Sequence, residues 1–273
     1  MKLLTLNTHS WMEEEALEKL TFLCEAIAAQ QFDVIALQEV NQSIAAPLVE
    51  QSRLLSFEEA NKEHPIKGDN FALLLQEKLR EKGLSYYWTW EPSHVGYDRY
   101  DEGLALLSLN PIEEVSSFFV SENKSYDNYK SRKALGIKSK GHWYFSLHLG
   151  WWQDEEEPFS SQWEKAQKVF GSLSGSIFLM GDFNNPADQK EEGYDSVSQQ
   201  WFDTYTLAEE KDNGFTVAKA IDGWTDNQTG LRMDYIFSNH PVPVSSSKVI
   251  FNGHHYPVVS DHFGVAVETN EAC

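Results

Sequence analysis

The chain is poor in cysteine, in positive charge and in long apolar runs. Its 273 residues hold two cysteines, Cys24 and Cys273. Cys24 falls in an apolar helical pattern and Cys273 ends the sequence, so neither a disulfide framework nor a cysteine-based zinc site is expected. Lys and Arg number 22 against 42 Asp and Glu, a net charge of −20. Tight sequence-independent binding of nucleic acid depends on Lys and Arg neutralising phosphates, and so acidic a surface repels a polyanion at long range. The only basic cluster of note is the Lys130 to Lys133 stretch. Nucleic acid is therefore not the expected partner, although the plainer reading, that the acidity serves solubility, has equal standing. No apolar run approaches the roughly 18 residues that span a bilayer. No targeting segment stands out, because Met1-Lys2 leads straight into an apolar strand pattern. A cytoplasmic protein is expected, without a membrane partner or an obligate protein partner.

What is present suits a folded chain. Hydrophobic residues make up 41% and aromatics 13%, which supplies a core and argues against disorder. Residues 2–7 read as a strand ending at Asn7. Residues 13–30 carry Ala16, Leu17, Leu20, Leu23, Cys24 and Ile27 at helical spacing. Asp33 to Leu37 reads as a buried strand that ends at Gln38-Glu39. Residues 41–68 are polar and irregular, a surface excursion that could form a rim or lid. The spacing predicts a helix over 69–82, with Asp69 as its cap and Gly83 as its stop. Short strand-like runs follow at 86–90, 104–108, 115–120, 134–138, 142–148, 177–181, 233–237 and 264–267, with one more helix between Ser161 and Leu173. Strand signals run from end to end, so one domain over 1–273 is the simplest organisation.

Several of these strands end in a polar functional group: Asn7, Glu39, His148, the Asp182-Phe183-Asn184 step, Asp234 and the Ser260-Asp261-His262 step. Apolar strands fix such groups at a sheet edge, as a preorganised site needs. Taken singly, each has a plainer reading. Asp-Phe-Asn makes a turn, Ser-Asp-His caps a helix, and an Asn at a strand end closes an Asx-turn. Their joint occurrence along the whole chain is hard to attribute to turns.

The segments LTLNTH (4–9), DVIALQEV (33–40), EGLALLS (102–108), SLHLG (146–150), LMGDFNNP (179–186), RMDYIF (232–237) and SDHFGV (260–265) together resemble the endonuclease/exonuclease/phosphatase superfamily in order and spacing. The resemblance implies an α/β fold, a four-layered α/β/β/α sandwich of two packed mixed sheets, and a metal-dependent phosphoester hydrolase. It implies Mg²⁺, with Mn²⁺ as the alternative, held by Glu39 and Asp261 with Asn7 beside them; a hard cation of this kind takes one or two carboxylates and keeps its waters. It implies Asp182 and Asn184 at the phosphorus, Asp234 holding His262, and His148 as a second imidazole on the phosphate. Either Asp182 or His262 could be the general base. Arg132 matches a position that contacts phosphate, where a guanidinium suits the geometry, and Glu102 one that carries a polar group near the site. Where DNA-repair relatives carry an Asp two residues after the first-strand Asn, this chain has His9, and its loops are acidic rather than basic.

The loops bear on the substrate. Trp11, Trp151, Trp152, Trp163, Trp224, Tyr97 and Tyr100 lie in connecting segments, where an aromatic ring packs or binds. A sugar ring suits aromatic faces and acidic acceptors, so Trp151 and Trp152, directly after the His148 strand, are candidate substrate contacts. A core role for all these rings has equal standing, and a nucleobase would stack on them too. The LTLNTHSWMEE, LHLGWW and DGW…GLRMDYIF stretches are similar to a Gram-positive branch of the superfamily that includes maltose 6'-phosphate phosphatase. That resemblance implies a sugar-phosphate phosphatase, with a nuclease or other phosphodiesterase, or an inactive binding protein on the same scaffold, as the alternatives.

Overall fold

The computed structural model describes residues 1–218 and 230–270. Trp224 and Cys273 lie outside the described residues. The strands are β1 (Lys2–Asn7), β2 (Val34–Ser43), β3 (Tyr87–Gly96), β4 (Tyr100–Ser108), β5 (Glu114–Phe119), β6 (Lys133–Ser139), β7 (His142–His148), β8 (Ile177–Asp182), β9 (Phe202–Asp203), β10 (Glu210–Lys211), β11 (Asp234–Ser238), β12 (Val244–Ile250) and β13 (Gly264–Thr269). The helices are α1 (Ala16–Gln30), α2 (Phe71–Glu81), α3 (Phe159–Phe170), α4 (Gly193–Ser198) and α5 (Thr204–Leu207). Among the described residues no helix is long and apolar enough to cross a membrane.

The strands form two mixed sheets. One has seven strands in the order β10-β12-β13-β1-β2-β4-β3, the other six in the order β5-β6-β7-β8-β11-β9. Period-2 alternation sorts their side chains into layers. Leu3, Val34, Ala36, Leu104 and Leu106 of the first sheet meet Leu135, Ile137, Phe178, Met180 and Ile236 of the second. The residues between them point outwards: Leu4, Leu6, Ile35 and Leu37 take Leu20, Leu23, Ile27, Leu75 and Leu79 of α1 and α2. Phe145, Leu147, Ile177 and Leu179 likewise take Phe159, Trp163 and Phe170 of α3. The result is the expected α/β/β/α sandwich.

A polar bolt joins the sheets just below the strand ends. Gln38 Nε2 donates to Ser146 Oγ at 2.9 Å, and Ser146 Oγ donates to the Leu37 carbonyl at 3.0 Å. These groups are fully buried, so their satisfaction fixes the relative position of β2 and β7.

Several expectations need correction. The first helix begins at Ala16, after a 3₁₀ turn at Ser10–Met12. The cap of α2 is Asn70, whose side chain accepts from Leu73 N; Asp69 is occupied instead with the Ser43 N–H. Gly83, at φ +78°, does follow the helix. β2 does not end at Glu39 but runs on to Ser43. Residues 44–68 are no rim: Val49, Leu54 and Phe57 pack on the α1/α2 core, Arg53 pairs with Glu77 at 2.7 Å, and none of these residues lines the cavity described below. β12 was absent from the expected strands, its apolar signal thinned by Ser245, Ser246 and Ser247.

Candidate active site

Several strand ends and one strand bulge converge at one edge of the sandwich. Within β2 lies a bulge in which Gln38 and Glu39 together oppose the single Leu104, between the pairs Leu37–Ala105 and Val40–Gly103. Glu39 has φ +51°. The extra residue re-aims its carboxylate out of the alternation and into the site, which is a common use of a bulge. At β8, Asp182 follows Gly181, whose φ is +153° and where a Cβ would lie 2.0 Å from the Leu147 carbonyl oxygen. Only glycine lets β7 and β8 approach closely enough to bring His148 and Asp182 side by side in register.

Asn7 at the end of β1 bridges the two carboxylates. Its Nδ2 donates to Glu39 Oε1 at 2.9 Å and to Asp182 Oδ2 at 3.1 Å, while its Oδ1 accepts from His9 N. In this arrangement nitrogen, not oxygen, faces the carboxylates, so Asn7 would serve as an oxygen ligand only with its amide turned over. Asp182 Oδ1 accepts from Asn184 N at 2.8 Å, so the Asp-Phe-Asn step does form a turn, and Asn184 Nδ2 donates to the Leu149 carbonyl.

Two imidazoles face Asp182. His262 Nδ1 lies 2.9 Å from Asp234 Oδ2, which fixes a proton on Nδ1 and turns Nε2 towards Asp182 Oδ2, 3.8 Å away. Burial disfavours a charge on His262, but Asp234 and Asp182 outweigh it and hold the imidazole well above its usual range. His148 Nε2 lies 3.7 Å from Asp182 Oδ2 and 4.0 Å from Glu39 Oε1. Its Nδ1 is 3.2 Å from Arg132 Nη1, which can only donate, so Nδ1 accepts and Nε2 carries the hydrogen. Burial, Arg132 and His94 hold His148 well below the usual range. The two rings are thus opposites, one cationic and one neutral, both donors.

The carboxylates crowd one another. Burial first, then Glu102 and Asp261, push the Glu39 carboxyl up to about 8. Burial, opposed by His262 and reinforced by Asp234, pushes Asp182 up to about 6. Glu39 Oε2 is buried and has no hydrogen-bond partner. An orphaned carboxylate oxygen beside further negative charge is the setting a hard divalent cation neutralises, so the residues fit a metal held by Glu39 with Asp261 or Glu102 nearby.

These groups open on a cavity of about 640 Å³ lined by Glu39, Glu102, Arg132, His148, Asp182, Asn184, Asp261 and His262, and further out by Tyr97, Asp98, Asp127, Tyr129 and Trp151. Asn7 and Asp234 stand behind its wall. Trp152 does not reach it: its ring packs on Phe159 at 6.3 Å, among the α3 aromatics. Trp163 is core, and Trp11 donates to the Asn41 and Asp69 carbonyls. Sequence reasoning missed His94, which is buried, lies 3.1 Å from Glu102 and has its other ring nitrogen on the Ser131 carbonyl. It also left unassigned His9, 2.7 Å from Glu13 and 3.8 Å from Asp261. His94 escaped because the expected strand at 86–90 stops short of it, whereas β3 runs on through Pro92 to Gly96.

Paired acid–imidazole groups around a carboxylate, with one guanidinium and a place for a hard cation, are the parts of a phosphoester-hydrolysing centre. The sequence pattern of the Endonuclease/Exonuclease/phosphatase family matches residues 13–262. The chain belongs to this family, whose members are phosphoesterase hydrolases and generally depend on divalent metal. An endonuclease/exonuclease/phosphatase family protein from Leptotrichia buccalis is 35% identical over 99% of this chain and 100% of that one, with a TM-score of 0.87. A mannosyl-6-phosphatase from Bacteroides thetaiotaomicron shares the fold at 17% identity over 99% and 100% of the two chains, TM-score 0.67. So does a 3' phosphatase from Neisseria bound to a product DNA hairpin, at 16% identity, the same coverage and TM-score 0.64. No protein of curated function matches the chain in sequence.

Proposed function

We propose that the protein is a Mg²⁺-dependent phosphomonoesterase acting on a phosphorylated sugar in the cytoplasm, as one catalytic unit over 1–273, with maltose 6'-phosphate as the substrate to test first. The observation that carries this reading is the charge of the cavity. Among the described residues lining it, Arg132 is the one Arg or Lys, while Asp98 and Asp127 stand at the mouth beside Tyr97, Tyr129 and Trp151. One guanidinium suits one phosphate; a nucleic-acid strand brings many and calls for a basic groove.

In this reading Glu39 and Asp261 hold the cation, with Asn7 keeping Glu39 in place. The cation, when bound, offsets negative charge on the phosphoryl group and the leaving oxygen. Arg132, His148 Nε2–H, His262 Nε2–H and Asn184 donate to the phosphoryl oxygens. Asp182 takes a proton from the attacking water as its oxygen bonds to phosphorus. The bond from phosphorus to the sugar oxygen breaks, and that oxygen takes the proton of the His262 imidazolium. The proton left on Asp182 then returns to His262, whose Nε2 lies 3.8 Å from Asp182 Oδ2.

The test is phosphate release with Mg²⁺, with and without chelator, from maltose 6'-phosphate, glucose 6-phosphate and a short DNA duplex. Chelator-sensitive release from a sugar phosphate with intact DNA is expected. Cut DNA with untouched sugar phosphates would overturn the substrate class.

A further inference from the structure

The outer part of the cavity is built from two separate segments that carry the same two kinds of side chain. The turn between β3 and β4 brings Tyr97 and Asp98; the loop between β5 and β6 brings Asp127 and Tyr129. All four are exposed. Neither Asp98 nor Asp127 makes a hydrogen bond or ion pair with the described residues.

The frame beneath these tips is fixed. Arg99 N donates to the Gly96 carbonyl at 3.2 Å, and Tyr97 and Asp98 have φ of 53° and 57°. Two successive residues in this region define a type I′ turn, which ordinarily takes Asn and Gly. A Tyr there is strained, and such strain gathers at ligand-binding sites. The facing loop is tied to the same hairpin: Val95 N donates to the Tyr126 carbonyl at 2.7 Å, His94 Nδ1 donates to the Ser131 carbonyl at 3.0 Å, and Tyr126 Oη donates to Asp101 at 2.8 Å. Two carboxylates without a partner among the described residues and two aromatic rings thus stand on preformed backbone beside the candidate catalytic groups, as in a site formed before its ligand arrives.

Carboxylates accept from hydroxyl groups, and tyrosine rings offer apolar faces to a ring's C–H surface. Bare carboxylates repel a leaving group that carries further phosphates. We propose that Tyr97, Asp98, Asp127 and Tyr129 form a subsite for the alcohol released by hydrolysis and select a neutral polyhydroxylated ring, an inference that rests on the phosphomonoesterase reading above.

The experiment compares kcat/KM for maltose 6'-phosphate and for p-nitrophenyl phosphate, whose leaving group has no alcohol hydroxyls, in the parent enzyme and in the D98N/D127N double variant. The ratio of sugar ester to nitrophenyl ester falls by at least about tenfold in the variant, the smaller end for losing hydrogen bonds to a charged acceptor. The loss is carried by KM of the sugar ester. A ratio unchanged within about twofold overturns the subsite, as does a parent enzyme that cleaves the nitrophenyl ester but neither maltose 6'-phosphate nor glucose 6-phosphate. A parent enzyme that cuts DNA and releases phosphate from none of these esters overturns the phosphomonoesterase reading itself. Should the double variant melt lower than the parent, the D98N and D127N single variants carry the same comparison.

Discussion

Glu39→Gln separates stability from activity. Between the ordinary carboxyl value of 4.5 and about 8, Glu39 in the metal-free fold holds a proton that the unfolded chain releases. Stability therefore falls as pH rises through that window, because ionising Glu39 costs more in the fold than outside it. At about 1.4 kcal/mol per pH unit, the displacement sets a ceiling of about 5 kcal/mol. Relaxation and water entry reduce it, and about 2 kcal/mol is a sober expectation. Gln is nearly isosteric. Its Oε1 can still accept from Asn7 Nδ2, and its amide hydrogens would face the carboxylate-rich side where Glu39 Oε2 now lacks a partner. In chelator at pH 8 the variant should melt about 4 °C above the parent, taking about 2 °C per kcal/mol for a chain of this size. At pH 5 the two should coincide. Metal-dependent turnover should fall by at least about a hundredfold with the ligand removed. A variant that melts at or below the parent at pH 8, or that keeps metal activation, would refute the assignment of Glu39 as an uncompensated ligand.

The other predictions follow from the same geometry. Asp182→Ala and His262→Ala should each lower kcat by at least about a hundredfold in the phosphate-release assay; near-normal turnover in both would remove them from the chemistry. Metal affinity should weaken by up to about tenfold per pH unit below about 8, because the cation must displace the Glu39 proton; calorimetry in two buffers of different ionisation enthalpy should show proton release at pH 7 and none at pH 9, and a pH-independent affinity contradicts it. Trp152→Ala should cost about 2 kcal/mol in denaturant melts, less than for a fully buried Trp, with KM for the sugar ester unchanged, whereas Trp151→Ala should raise that KM; the reverse pattern would put Trp152 in the site after all.

Much of the architecture could be read in advance because it rests on local periodicity. β1, β7 and β8 are buried along nearly their whole length and apolar enough that their polar termini, Asn7, His148 and Asp182, stand out. β12 escaped notice because three serines interrupt its pattern and only packing on β13 makes it a strand. Asp69 and Asn70 are equally good caps by composition; the Ser43 N–H engages the first and leaves the second for the helix, a choice made between segments far apart in sequence.

The site divides along the same line. Asp234 and His262, 28 residues apart, stand out because each lies at or just before the start of an apolar strand, β11 and β13. The aromatics gave no such guide, because a Trp in a loop looks the same whether it faces a cavity or a helix. Trp151 and Trp152 are neighbours, yet one lines the cavity and the other packs on Phe159. The bulge at Glu39 lies between these cases. Ile35, Leu37 and Val40 all join the helix-facing core, a spacing of two and then three that an uninterrupted strand cannot satisfy. The break in alternation marks where a residue was inserted and which side chain it turned. Glu39 owes its position to that one irregularity: in a regular β2, Gln38 and Glu39 would face opposite sides of the sheet in strict alternation, and the carboxylate would meet α1 and α2 rather than Asn7, His148 and the cavity.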